Sequence, residues 1–473
     1  MKSKQNRLIS VLLILIVLFI VGTLFTIKAC FDLVHLNSEV SSTEEVETQV
    51  PTSVPTEPIE IPTETTLPDP EHVVSTATIG AMGDLLMHKP IFDDLTQYNA
   101  AVQQPDGSYD FTSVFQYLSE YTSSLDYAVA NLETTLCGEK NGYPYDGYPL
   151  FNCPDELVDG VKNAGFDMLL TANNHCYDTK LVGFLRTLEI IRGKGLETLG
   201  SYTSADETKW IMVEINGIKI GMLCYTWAFG VTEDGRPSMN GNQSIEKPGL
   251  CNYFYTKNLP AFYSEVEQYL AEMESAGVEA TILFIHWGQE YFLSPNEEQR
   301  TIAQKMCDLG IDVIIGGHPH VIQPVELLDS TTDPEHKTVC LYSTGNAVSN
   351  QRQGKLNSIK TAHTEDGVLF TVTFEKYSDG TVYLASANAI PTWVNMHNNG
   401  NGKTEYNILP LDVNYMSKWS TLFELGDSST KAANDSYTRT MNIIGTGLED
   451  VASYLTREKA DREAYYLDLS IAS

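Results

Sequence analysis

The stretch Ile311-Asp312-Val313-Ile314-Ile315-Gly316-Gly317-His318-Pro319-His320 decides how the rest of the chain is read. Its β-branched apolar run is too short for a helix and reads as a buried strand. The preceding residues 296–310, NEEQRTIAQKMCDLG, have helical spacing. A helix that feeds a buried strand ending in glycines and polar residues is the unit of a layered α/β domain, which gathers its active site at strand ends. Gly316 and Gly317 permit close backbone approach, and Pro319 turns His318 away from helical geometry. His318 and His320 are therefore expected on one face of an extended segment, able to grip one metal or two neighbouring ones.

The same alternation extends in both directions. AFYSEVEQYLAEMESAGV (261–278) reads as a helix leading into the strand EATILFIHWG (279–288), with His286 at its tip. WIMVEINGIKIGMLCYTW (210–227) reads as a hairpin turning at Asn216-Gly217, and VLFTVTFEKYSDGTVYLASANAI (368–390) as one turning at Asp379-Gly380. Towards the N-terminus, VVSTATIGAMGD (73–84), DYAVANLE (126–133) and DMLLTANNH (167–175) read as strands. FTSVFQYLSEYTSSL (111–125), CPDELVDGVKNAGF (153–166) and LVGFLRTLEIIRGKG (181–195) read as helices. Beyond Val394 the pattern weakens into mixed helical segments. The expected architecture is a mixed α/β layered domain over 73–395 with a C-terminal extension, 396–473.

Five of these apolar runs end in residues suited to holding metal. They are Gly83-Asp84 with His88, Asn131-Leu132-Glu133, Asn173-Asn174-His175, His286-Trp287-Gly288, and Gly317-His318-Pro319-His320. Alone, an Asp after Gly is more often a turn residue, and a His at a strand tip more often a satisfied core residue. Five such stations in one alternating domain point instead to a binuclear centre. Asp84 is expected to project from a tight turn, with His88 sharing its face if a helix begins there. Period-two geometry puts Asn131 and Glu133 on one side. Imidazole combined with carboxylate and amide oxygen suits two divalent transition metals, Mn, Zn or Fe, rather than Ca. Such a pair supports hydrolysis, with His175 placed to protonate a leaving group.

The chain has 473 residues, is 42% hydrophobic and carries a formal charge of -32, enough for a sizeable core but without the basic face that nucleic acid requires. Residues 8–28 contain an almost unbroken apolar run of bilayer-spanning length, preceded by Lys2, Lys4 and Arg7. This predicts a transmembrane helix with residues 1–7 in the cytoplasm and the remainder outside the cell. A cleaved signal peptide competes with that reading, but the run is long for one and no small-x-small site follows. Residues 29–72, rich in Pro, Thr and Glu, read as a disordered acidic linker. Among eight cysteines there is no CxxC pair. Cys137 and Cys153, flanking a Gly/Pro/Tyr-rich loop, could pair in an oxidising exterior.

With GDLLMH, NLE, FNCPDELVDGVKNAGFDMLLTANNHCYD, IHWGQEY, GGHPHVIQP and YSTGNAVSNQ in this order, the chain resembles the capsule-synthesis CapA family. Members of that family are linked to poly-gamma-glutamate capsule production, and it is similar to the calcineurin-like metallophosphoesterases. The resemblance covers Thr76 to Val394 and implies an αββα sandwich with mixed sheets. It implies Asp84, Glu133, Asn174, His286, His318 and His320 as metal ligands and His175 as the catalytic imidazole. His88, Asn131, Glu290, Tyr291 and Asn346 would shape the substrate site. The membrane, an anionic envelope polymer such as poly-gamma-glutamate and a capsule synthase complex are the implied partners. Both a metal-dependent hydrolase and a non-catalytic assembly factor are consistent with it.

Overall fold

The computed structural model describes residues 72–93, 99–241, 243–355 and 360–472. The apolar run at 8–28 and nearly all of the acidic linker lie outside them. Among the described residues no helix is long and apolar enough to cross a membrane.

Two mixed sheets form the centre. The first orders β18-β17-β16-β1-β2-β3-β4, and β15 also pairs with β1. Its strands are β1 (Val73–Leu85), β2 (Tyr127–Leu132), β3 (Met168–Leu170), β4 (Glu197–Leu199), β15 (Asn346–Val348), β16 (Asp366–Tyr377), β17 (Val382–Asn398) and β18 (Thr404–Pro410). The second orders β10-β6-β11-β12-β14-β13, with β5 on β6. These are β5 (Ile211–Ile215), β6 (Ile218–Trp227), β10 (Tyr253–Phe254), β11 (Ala280–His286), β12 (Val313–Gly317), β13 (Val325–Asp329) and β14 (Lys337–Leu341). β7 (Gly230–Val231), β8 (Pro237–Met239) and β9 (Gln243–Ser244) make a small antiparallel sheet in the β6–β10 connection.

Period-two alternation builds the layers. Ala77, Ile79 and Ala81 of β1 point inward and meet Ile220, Met222, Ile282, Phe284 and Ile315 of the second sheet in one buried cluster. On the outer face of the first sheet, Ala128, Ala130 and Leu132 pack under Phe111, Val114, Phe115, Leu157 and Val161. On the outer face of the second, Leu283, Ile285 and Ile314 pack under two helices, α1 (Leu259–Ser275) and α2 (Glu297–Asp308). A full capping box, Asn296 with Gln299, starts α2. The layer order is the expected helix–sheet–sheet–helix sandwich. The two hairpins turn where expected, Asn216 and Gly217 having φ of 52° and 79° and Gly380 a φ of 90°.

Several details differ from the sequence reading. The segment 111–125 forms only two four-residue helical turns, Thr112–Phe115 and Ser119–Thr122. The tail contains strand β18, which pairs with β17, before the expected helical segments: a short turn at Val413–Lys418, another at Trp419–Leu422 and one long helix, α3 (Asp427–Ala472). All seven described cysteines are free and buried, Cys137 and Cys153 among them.

Helix α3 closes onto both sheets: Ile444, Val451 and Leu455 join the central cluster. Arg439 makes a two-pronged contact with Asp366 of β16, at 2.9 and 2.7 Å, and Ser436 Oγ donates to the same carboxylate at 2.6 Å. Burial pushes Asp366 up to about 6 against the pull of Arg439. With Arg439→Ala the buried carboxylate loses its counter-charge, at a cost of about 3 kcal/mol. A carboxyl whose folded pKa is raised loses stability as pH rises from its unfolded value through its folded one. Urea titrations should therefore show a larger loss for R439A at pH 8 than at pH 5, where the orphaned group can take a proton.

Candidate metal centre

The expected stations meet at the C-terminal ends of β1, β2, β3, β11 and β12. Asp84 arrives there by a β-bulge rather than a turn. In the β1–β2 ladder Met82 pairs with Ala130 and Asp84 with Asn131, with a register shift between the two pairs. Met82 and Ala130 lie on the outer, helix-covered face. The extra residue, Gly83, re-phases the strand, so Asp84 faces inward with Asn131. Gly83 is required sterically as well, because a Cβ there would lie 1.9 Å from the Gly345 carbonyl oxygen. That close approach lets the Asp84 N–H donate to the Gly345 carbonyl at 3.1 Å.

Asp84 is fully buried. It accepts from Asn131 Nδ2 at 2.7 Å and lies 3.1 Å from His320 Nδ1. Burial opposes its ionisation, but the His320 hydrogen bond and charge, the His286 charge and the Asn131 donor outweigh it and hold the pKa below the usual value. Glu133 is equally buried, yet among the described residues neither of its oxygens has a hydrogen-bond donor. Burial and the neighbouring Asp84 and Glu290 charges push its pKa well up. Around it stand two groups able to hold a metal ion, Glu133 with His286 and His318, and Asp84 with Glu133 and His320. Glu133 belongs to both.

The histidines are not on one extended face. His318 and His320 follow β12 in a left-handed turn, with φ of 95° and 55°, and their rings lie 6.0 Å apart at 48°. Such conformations are costly for a residue with a side chain and concentrate at functional sites. Each imidazole consequently joins a different group. His318 Nδ1 lies 3.2 Å from His286 Nε2, and His286 Nε2 lies 2.8 Å from the Asn174 amide oxygen. Burial drives His286 down to about 3 and His318 well below its ordinary value. Both are thus neutral imidazoles with a lone pair available to a metal. His320 is the exception, since Asp84 more than offsets its burial and raises its pKa.

His175 sits beside these groups without joining either. Its Nδ1 lies 2.7 Å from Asp178 Oδ2 and its ring meets Phe151 edge-on at 4.7 Å. Asp178 also accepts from the Phe151 backbone at 2.8 Å and from Asn240 Nδ2 at 2.8 Å. Asp178 and Asn240 went unread in the sequence. Asp178, three residues after His175 in NNHCYD, could have been found from that spacing. Asn240 had no local signal, because it comes from the turn between β8 and β9. Asn173, which holds Asn131 Oδ1 at 3.2 Å and the Leu132 carbonyl at 2.8 Å, braces the β2 end.

The remaining predicted residues divide. Asn346 Oδ1 lies 3.1 Å from His320 Nδ1, and Tyr291 lies over the His320 ring at 6.2 Å. Glu290 is close enough for its charge to act on both His320 and Glu133. His88 is in neither metal group. It precedes the helical turn Lys89–Phe92, with Nδ1 between the Leu86 carbonyl (3.1 Å) and the Asn350 N–H (3.3 Å), and its ring meets Phe151 at 5.2 Å. A shared face with Asp84 does not form.

The donor set fits divalent metal. Neutral imidazoles, an amide oxygen and two carboxylates converge, and the orphaned Glu133 lacks any other compensation for its burial. Glu133→Gln should stabilise the chain in EDTA at pH 8 by about 1–3 kcal/mol, since an ionisable group without donors is removed. With Mn added the order should reverse. Paired thermal melts measure both.

A family model described as "Bacterial capsule synthesis protein PGA_cap" matches residues 78–351. The "PGA biosynthesis protein CapA" of Bacillus subtilis (strain 168) is 32% identical over 243 residues, 50% of this chain and 57% of that protein. The "Capsule biosynthesis protein CapA" of Bacillus anthracis is 26% identical over 277 residues, 58% of this chain and 60% of that protein. The matched regions thus span less than two thirds of either relative. A crystal structure of a protein named as a 5'-nucleotidase from Staphylococcus aureus aligns at a TM-score of 0.40 and 14% identity, over 77% of this chain and 58% of that one.

Proposed function

The chain belongs to the bacterial capsule synthesis protein family, and from that premise we propose that it is a metal-dependent hydrolase of a cell-envelope phosphoester or polymer. We propose further that it works in capsule formation, anchored by residues 8–28 with its main domain outside the cell. The observation that carries the catalytic reading is Glu133, which among the described residues is buried without a hydrogen-bond donor and shared by two groups of potential ligands. In this reading Asp84, Glu133 and His320 hold one divalent ion, and Glu133, His286 and His318 a second, with Asn174 contributing its amide oxygen. When bound, such ions lower the pKa of water and neutralise the oxygens of a phosphoryl group.

The protein's own groups supply the rest. Asp178, an acceptor when ionised, fixes a proton on His175 Nδ1, which leaves Nε2 as the atom that exchanges a proton with substrate. Through Nε2 the imidazole can pass a proton to a departing oxygen. Asn240 and the Phe151 N–H hold Asp178 in place, so the imidazole is oriented before substrate arrives. Asn131 and Asn346 orient Asp84 and His320 in the same manner.

Elemental analysis of the purified full chain should find about two transition-metal ions per molecule after loading with Mn or Zn. His318→Ala should lose metal while keeping its circular dichroism spectrum. His175→Ala should keep the metal and lose phosphoesterase turnover by about 100-fold or more. A chain that takes up no metal rules the hydrolase out. A metal-loaded chain as active with H175A as without it moves the acid elsewhere. Anchoring is tested separately: the chain should sediment with membranes and be cut by protease added to intact cells.

A further inference from the structure

Aromatic rings form an unbroken path through the two metal groups. Phe229 packs on Trp227 at 4.1 Å between centroids, Trp227 meets His318 at 5.6 Å, His318 meets His320 at 6.0 Å, and His320 meets Tyr291 at 6.2 Å. The histidines are buried, whereas the ends of the path are open to solvent, Phe229 being 45% and Tyr291 38% exposed. Phe292 beside Tyr291 is also exposed. Core packing alone would bury these rings, because an exposed phenyl group forfeits most of the gain from leaving water. Trp227 adds an indole N–H that is buried with no acceptor among the described residues.

The polar surroundings point the same way. The hydrogen bonds and ion pairs described for Asp84, Glu133, Asn174, His286, His318 and His320 run to carboxylate, amide and imidazole groups, with no lysine or arginine among them. Glu290 adds a negative charge beside Tyr291. These ligand groups thus offer an extended polyanion no lysine or arginine, whereas a molecule with one anionic group and a flat face would find ions for the first and rings for the second.

We propose that Trp227, Phe229 and Tyr291 form a stacking subsite, and that the substrate is a phosphoester bearing a flat-faced ring, a sugar or a nucleobase, rather than a bare polyanionic chain. This rests on the metal-site reading above and narrows its substrate class. The ring stacks on Phe229 or Tyr291 while the phosphoryl group lies toward the histidines.

Calorimetric titration of the Mn-loaded full chain tests it with adenosine monophosphate, glucose 1-phosphate, glycerol phosphate and poly-gamma-glutamate. At least one ring-bearing ligand should bind about tenfold or more tightly than glycerol phosphate or the polymer; which of the two does so separates base from sugar. Phe229→Ala or Tyr291→Ala should erase that preference with metal content unchanged. The proposal is overturned if glycerol phosphate or the polymer binds as well as both ring ligands, if nothing binds, or if both variants keep the preference. Ring preference without turnover would remove the hydrolase reading and leave the subsite standing.

Discussion

Two carboxylates, Asp84 and Glu133, are buried side by side between the sheets, and among the described residues only Asp84 of the two has hydrogen-bond donors. Burying a charge without compensation costs several kcal/mol, so an arrangement of this kind persists only when something in the native state offsets it. Imidazoles approach Glu133 from both sides, His286 Nε2 at 3.5 Å and His320 Nε2 at 3.8 Å from the same oxygen. The neighbouring groups are then arranged around a shared need for positive charge. His320 is raised toward its charged form, while His286 and His318 are held neutral.

That demand reaches back into the backbone. Asp84 faces the cluster only because the strand carries one extra residue, and Gly83 is the residue that tolerates the approach of the Gly345 carbonyl. His318 and His320 both occupy left-handed conformations beyond the end of β12. A bulge and two strained residues within one centre are what is expected where function, not packing, sets the geometry. The sandwich supplies the rigidity that holds them, with apolar residues of both sheets interdigitated directly behind the site.

The polar groups around the cluster come from distant segments. Asn131 from β2, Asn346 from β15, Asp178 from the loop after β3 and Asn240 from the small sheet each orient one member of the site. Asn240 also donates to the Pro149 carbonyl at 3.1 Å, so the small sheet and the 143–152 loop are pinned at the same point as the His175–Asp178 pair. The chain belongs to the bacterial capsule synthesis protein family, and the geometry of these residues narrows the chemistry they can perform.

Much of this was legible in the chain. Periodicity alone placed the main strands, the two long helices over the second sheet and both hairpin turns, because alternation and Asn-Gly or Asp-Gly turns are local properties. It failed for 111–125, where helical spacing spans only two short turns, and for β18, whose pairing with β17 depends on a partner already in place. At the site, residue types at strand ends announced metal chemistry, yet their grouping did not follow from spacing. His318 and His320, two residues apart, were expected on one face, and the left-handed turn sends them to different groups. His88, four residues from Asp84, stays outside both, whereas Asp178 and Asn240, unmarked in the sequence, touch His175 or its partner. The sequence by itself determined which side chains could bind metal and that they stand at strand ends, since ligand chemistry and strand periodicity are written residue by residue. Only the tertiary structure decided that Glu133 lies between two groups and that Asp84 faces it, because a bulge, a turn of positive φ and the meeting of two sheets depend on contacts between segments far apart in the chain.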